Sequence, residues 1–295
     1  MDTETLSKYS KAGKIAYSVM QYTKGLLKEG ALLIEVVEKA EERITQLGGK
    51  PAFPVDLSID QIAAHYSPLH NDKLTAHGLV KIDLGVSIDG FLVDMACSVD
   101  LTPDQRHKEI INASKLALDE AINTIKIGIK TKDIGIEVEK KIKSFGFNPI
   151  KNLYGHELKR YDLHAGLRVP SYDDKSAALI TEGVFAVEPF ATNGVGLVIN
   201  GKPSEIFVIQ NKKQVRDASA RQMLSHIEAE YKTLPFSARW LTKKFGTRAL
   251  FSLSILEREG IVHHFPQLIE QSGGIVSQSE HTIMVTKDKI RVLTR

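Results

Sequence analysis

The chain has 295 residues, 42% of them hydrophobic and 25% charged, and a net charge of +3, a balance that suits a globular protein with a sizeable core and speaks against a dedicated nucleic-acid site. It has no run of about 18 apolar residues and no apolar segment behind a basic N-terminus, so neither a membrane span nor a secretion signal is expected and the cytoplasm is the expected location. Cys97 is the only cysteine, which excludes a disulfide framework and a thiolate metal cage.

Helical spacing of Ile15, Val19 and Tyr22, then of Leu33, Val36 and Val37, with Gly30 as a break, predicts two packed helices between Ser7 and Leu47. VKIDLGVSIDGFLVDMACSV, residues 80–99, reads as a hairpin turning at Asp89-Gly90. Thr102, Pro103 and Gln105 read as the cap, first-turn proline and capping-box partner of a helix running to about Gly128. Thr131 opens another, which Gly146 ends. VFAVEPFAT (184–192) and residues 281–294 read as strands, and the polar block 212–260, with RQMLSHIEAEY and SARWLTKKFG, reads as a helical insertion within one domain spanning 1–295.

The hairpin carries an oddity. Asp83 and Asp94 interrupt an otherwise apolar ribbon, and a buried carboxylate without a partner is costly. With Ile88 facing Phe91, Asp83 falls opposite Ala96 and Asp94 opposite Gly85. The two acids are then diagonal neighbours on one face, about 7–8 Å apart at the backbone and within reach of a common cation. A turn cap plus a lysine-paired carboxylate would satisfy the same residues, and the hairpin alone does not decide between the two. His156 in NLYGHEL, Glu188 in VFAVEPF and Glu280 in SQSEHTIMV repeat the pattern of a polar group in an apolar segment. Two Asp, one His and two Glu form a mostly oxygen set suited to Mn, Fe, Co or Zn. So many carboxylates could bridge two ions about 3.5–4 Å apart and activate a water. The His156-Glu157 pair does not begin a zincin helix, because position 160 is Arg160.

FPVDLSIDQIAAHYSP, KIDLGVSIDGFLVD, NLYGHELKRYDLHAG, VFAVEPFAT and SEHTIMV, in that order, closely resemble the methionine aminopeptidases, in particular the type II class in its short archaeal-like form. The resemblance implies the α/β pita-bread fold, in which two pseudo-symmetric halves clasp a dinuclear metal site, with the helical insertion of type II between Glu188 and Glu280. It implies Asp83, Asp94, His156, Glu188 and Glu280 as ligands of two divalent ions, with Asp94 and Glu280 bridging. It implies Glu188 as the proton-moving catalytic group, and His65 and His164 as catalytic and substrate-binding histidines that donate hydrogen bonds without ligating metal. Phe53 and Leu163 are implied in the methionine pocket. The expected reaction is removal of the initiator methionine from N-terminal peptides of nascent proteins when the second residue is small. The charged N-terminal extension of the eukaryotic members is not seen in this sequence, so ribosome contact is expected to be transient at most. Gln278 shares a strand face with Glu280 and is expected to steady a ligand. His281 is expected to point away, Cys97 to be a core residue, and His70, His77, His107 and His226 to lie on the surface. His263 and His264 carry no assigned role. Two alternatives stand beside this reading: an Xaa-Pro aminopeptidase or prolidase, which shares the fold and ligands but usually carries a further N-terminal domain, and a non-catalytic pita-bread module that binds nucleic acid or protein. The complete ligand set argues against the second.

Overall fold

Asp2 accepts the Thr5 amide at 2.8 Å and opens α1 (Thr3–Leu26) in the computed structural model, which describes residues 2–295. Gly30, with φ +81, turns the chain into α2 (Leu33–Gln46). In α1 the inward stripe is Ala12, Ile15, Ala16, Val19 and Met20. Tyr22, expected in that stripe, is 41% exposed. Thr23 takes the inward place instead, its hydroxyl donating to the Val19 carbonyl at 2.8 Å.

The two helices cover one face of an antiparallel sheet whose centre is Leu79–Ile88, paired with Phe91–Asp100, Asp56–Ile59 and Lys50–Pro51. The hairpin has the register expected from its turn: Ile88 opposite Phe91, Gly85 opposite Asp94 and Asp83 opposite Ala96. Asp89 (φ +52) and Gly90 (φ +85) both take the left-handed backbone that a tight two-residue hairpin turn demands.

The helix expected from Thr102 begins later, as α3 (Lys108–Thr124). The Asp100 carboxylate accepts the Thr102 amide and hydroxyl at 2.9 and 2.6 Å and the His107 amide at 2.7 Å. These bonds hold 102–107 in a turn in place of the first helical one. Next comes α4 (Thr131–Ser144), with Gly146 at φ +81 just past its end. α3 and α4 pack on a second sheet, in which Gly183–Val187 lies between Tyr154–Leu158 and His281–Val285, with Arg168–Pro170 and Ile290–Val292 outside them.

VFAVEPFAT is not one strand. It breaks at Glu188-Pro189, because Pro189 has no N–H to continue the ladder. Phe190–Thr192 then pairs in a separate small sheet with Val276–Gln278 and Asn148–Pro149. Residues 281–294 likewise fold into two strands. After Val198–Ile209 come α5 (Ala218–Glu230), α6 (Ala238–Phe245) and α7 (Arg248–Arg258), before Val262–Glu270 returns antiparallel to it. These three helices share a core with Phe207 and Phe236. His226, expected on the surface, is half-buried, its ring edge-on to Tyr231 and Phe245. His107 is half-buried as well, while His70 and His77 are exposed.

The two helix-backed sheets, the halves of a pita-bread fold, meet along one seam. The Asp94 amide donates to the Thr282 hydroxyl at 2.6 Å, that hydroxyl donates back to the Asp94 carbonyl at 2.8 Å, and the Glu280 amide donates to the Ala96 carbonyl at 2.9 Å. A helix long and apolar enough to cross a membrane is absent among the described residues.

Candidate active site

The seam decides where the carboxylates meet. Asp94 comes from the edge strand of the first sheet, and Glu280 from the short connection that enters the second. His156 stands on Tyr154–Leu158, opposite Ala186, and Glu188 follows directly after Gly183–Val187. Strand alternation puts Asp83 on the same ribbon face as Asp94. Phe53, His65, Asp83, Asp94, His156, Leu163, His164, Glu188 and Glu280, the residues singled out from the sequence, all line one cavity of about 240 Å³. A larger charged cleft of about 1290 Å³ between α2 and the α5–α6 region contains none of them.

Asp94, His156 and Glu280 each place one ligand atom within 4.8 Å of the others. His156 Nε2 lies 3.8 Å from Asp94 Oδ2 and 3.6 Å from Glu188 Oε1. Among the described residues, Asp83 Oδ1, Asp94 Oδ1, His156 Nδ1 and Glu280 Oε1 are buried atoms with no hydrogen-bond partner. Five carboxylates line this cavity and no lysine or arginine does. Burial pushes Asp83 up to about 6, and burial together with mutual repulsion holds Asp94, Glu188 and Glu280 well above the ordinary carboxylate range. Orphaned oxygens, an imidazole and unopposed negative charge are the donor set of a divalent cation site. Gln278 Nε2 donates to Asp83 Oδ2 at 2.9 Å and lies 3.5 Å from Glu280 Oε2.

Around this polar floor the walls are apolar: Phe53, Leu153, Leu163, Ile206, Phe265 and Leu268. The His164 ring stands 4.4 Å from that of His156, at the open rim. His65 is held neutral, since burial pushes its pKa down to about 4. Its Nδ1 is 3.0 Å from the Pro266 carbonyl and therefore carries the single proton of the neutral ring. Nε2 is left as the acceptor of that tautomer. His281 bonds Thr294 Oγ1 at 2.9 Å and is not in the cavity. His263 is exposed and His264 pairs with Glu257; the cavity residue of that segment is Phe265, 5.3 Å from the His65 ring. Cys97 packs against Met20 and does not line the cavity.

Asp56 went unnoticed in the sequence, although an acid inside FPVDLSI carries the same signal as Asp83. It lines the cavity, lies directly across the ladder from Asp83, and binds the His65 and Tyr66 amides. Burial and the Asp83 charge push its pKa up to about 8, while the bonds from Ser58, Tyr66 and His65 pull it down.

Two helix-backed sheets clasping a buried carboxylate–imidazole cluster under an apolar slot define the metallopeptidases of the pita-bread class. The chain belongs to metallopeptidase family M24, whose model matches residues 7–287. A methionine aminopeptidase of Pyrococcus horikoshii is 45% identical over 98% of this chain and 99% of its own length. Among solved structures, a thermophilic Arx1 superposes with a TM-score of 0.87 at 18% identity, covering 99% of this chain and 91% of that one. The methionine aminopeptidase of Thermotoga maritima gives a TM-score of 0.72 at 21% identity, over 100% of this chain and 98% of that one.

Proposed function

We propose that this chain is a cytoplasmic aminopeptidase that removes the N-terminal methionine of new proteins when a small residue follows it. What carries the reading is the pairing of the acidic, imidazole-bearing floor with an apolar slot of about 240 Å³, in a chain 45% identical to a methionine aminopeptidase. Asp83, Asp94, His156, Glu188 and Glu280 would hold two divalent ions of the Co, Mn, Fe or Zn kind. Such a pair, when bound, supplies Lewis acidity and an acidified water. We read 212–260 as an insertion within a single 1–295 peptidase domain.

The chain's own groups divide the remaining work. Glu188 takes a proton from the attacking water and passes it to the leaving amine. His164, at the rim, donates to the oxygen of the tetrahedral intermediate, a contact worth about 3–4 kcal/mol when made by one preorganised donor. His65 Nε2 accepts the N–H of the scissile peptide group and orients it. Phe53 and Leu163 close around the methionine side chain, while the crowded floor admits only a small residue after it.

Initial rates on four peptides test this. Met-Ala-Ser should be cleaved, its N-acetyl form should not, and Ala-Ala-Ser and Ala-Pro-Ser should be poor substrates, since several missing apolar groups at about 1–3 kcal/mol each separate alanine from methionine. Preference for Ala-Pro-Ser would make the chain a proline-directed peptidase, and failure to cleave any peptide with several metals would make it a binding module.

A further inference from the structure

We propose that Asp56 is the positioning residue that fixes His65 against the floor of the site, an inference that rests on the reading of His65 as a group that orients the peptide. His65 is not a glycine, yet its φ is +67, a left-handed conformation that a side chain adopts only when its surroundings impose it. The sharp bend turns two successive amides, those of His65 and Tyr66, toward one point, the kind of backbone nest that binds an anion. The acceptor here is internal, the Asp56 carboxyl group. Asp56 Oδ2 accepts the His65 amide and Oδ1 accepts the Tyr66 amide at 2.9 Å, while the Ser58 hydroxyl donates to Oδ1 at 2.7 Å. Asp56 is 3% exposed, so its bonds to the two amides are made away from bulk water.

The position of Asp56 matters as much as its bonds. It stands on Asp56–Ile59, directly opposite Asp83 on Leu79–Ile88. One carboxyl group therefore ties the His65 backbone to the strand paired with the one that carries a floor acid, so the distance from histidine to floor is set by a sheet ladder and not by a loop. The ring needs only one further restraint, the bond from Nδ1 to the Pro266 carbonyl. With the backbone anchored by Asp56 and the ring by Pro266, Nε2 has one direction left.

The test uses Asp56→Asn and Asp56→Ala in the wild-type and His65→Ala backgrounds, in the metal-loaded full chain, with kcat and KM on Met-Ala-Ser, metal content, and NMR of the labelled His65 ring. Asp56→Ala should lower kcat about 100-fold with KM and metal content near wild type, the cost typical of a misplaced catalytic contact. Asp56→Asn keeps one oxygen for the nest and should fall about 10-fold, a partial rescue that also guards against loss of fold in the alanine variant. In the His65→Ala background neither substitution should cost more than about 3-fold further, because groups acting as a unit are not additive. The His65 ring signals should shift and broaden in Asp56→Ala. Equal losses in both backgrounds, or loss of metal, would overturn the proposal and assign Asp56 to the floor itself. If His65→Ala alone turns over like wild type, the reading of His65 fails, and positioning is then judged by the ring signals, whose invariance in Asp56→Ala would overturn it.

Discussion

Gln278 and Asp83, 195 residues apart, are joined by a 2.9 Å hydrogen bond from the Gln278 amide to the carboxylate oxygen Oδ2. The bond runs from the small sheet of Val276–Gln278 to the hairpin sheet and leaves Asp83 Oδ1, which has no partner, free to bind a cation. Gln278→Ala should therefore weaken metal binding by about 10–100-fold, the usual cost of losing a group that orients a ligand. Titration calorimetry with Mn or Co on the stripped protein measures it, and unchanged affinity would remove Gln278 from the site.

That contact also shows where sequence reading reaches and where it stops. Asp89-Gly90 dictates the hairpin register because two adjacent left-handed residues permit one tight turn, and with the register came the shared face of Asp83 and Asp94. Gln278 was legible from its place two residues before Glu280, although the strand ends at Gln278 and Glu280 lies in the connection beyond it. What escaped were the effects of neighbours distant in sequence. The delayed start of α3 depends on Asp100 taking amides that a helix would otherwise use. Phe265 became a cavity wall, and His263 and His264 did not, through pairing with Val198–Ile209. The ring bond of His65 reaches a carbonyl 201 residues away.

The acidic floor predicts a pH-dependent need for metal. Asp83 is raised to about 6, and Asp94, Glu188 and Glu280 are held well above the ordinary carboxylate range. A carboxyl bound more tightly to its proton in the folded state stabilises fully below its unfolded pKa of about 4, and that contribution is lost as pH rises through the folded value. The metal-free chain should thus lose stability from pH 5 upward through 6, while a bound cation, which favours the ionised carboxylates, should offset the loss. Thermal melts of chelated and Mn-loaded protein at pH 5, 6.5 and 8 should show Tm curves that diverge with rising pH. Parallel curves would mean that these acids are not the ones the metal relieves.

Arg239 and Glu41 join α6 to α2 by two bonds of 2.8 Å each, with Trp240 donating to the same carboxylate at 2.7 Å. Arg239 is 2% and Glu41 7% exposed. Removing one partner leaves a buried charge uncompensated, so Arg239→Met should destabilise by about 3–5 kcal/mol in chemical denaturation. Replacing both by apolar residues should cost less than the single change. Wild-type stability of the single variant would show that water reaches the pair.

Gly85 is the position at which the backbone can be used to probe the slot. It lies directly opposite Asp94, and a Cβ built there would overlap Phe53 Cε1 and sit 2.8 Å from Cδ1 and 2.9 Å from the Ala52 Cβ. Approaches that close require movement. Ala52 has little freedom to give way, because its amide donates to the Gly85 carbonyl at 3.0 Å. The Phe53 ring, half-buried and facing the cavity, is the part able to shift. Gly85→Ala should therefore fold and retain metal, while the displaced ring shortens the space for the methionine side chain. Loss of room for about one methylene is worth roughly 10–200-fold in specificity, so kcat/KM for Met-Ala-Ser should fall within that range. Ala-Ala-Ser, which does not fill the slot, should lose much less, narrowing the preference between the two peptides. Comparing kcat/KM on both in wild type and variant decides the matter. An equal fall on both peptides with metal content intact would show that the substitution disturbs Asp94 across the ladder and that Phe53 does not wall the methionine slot.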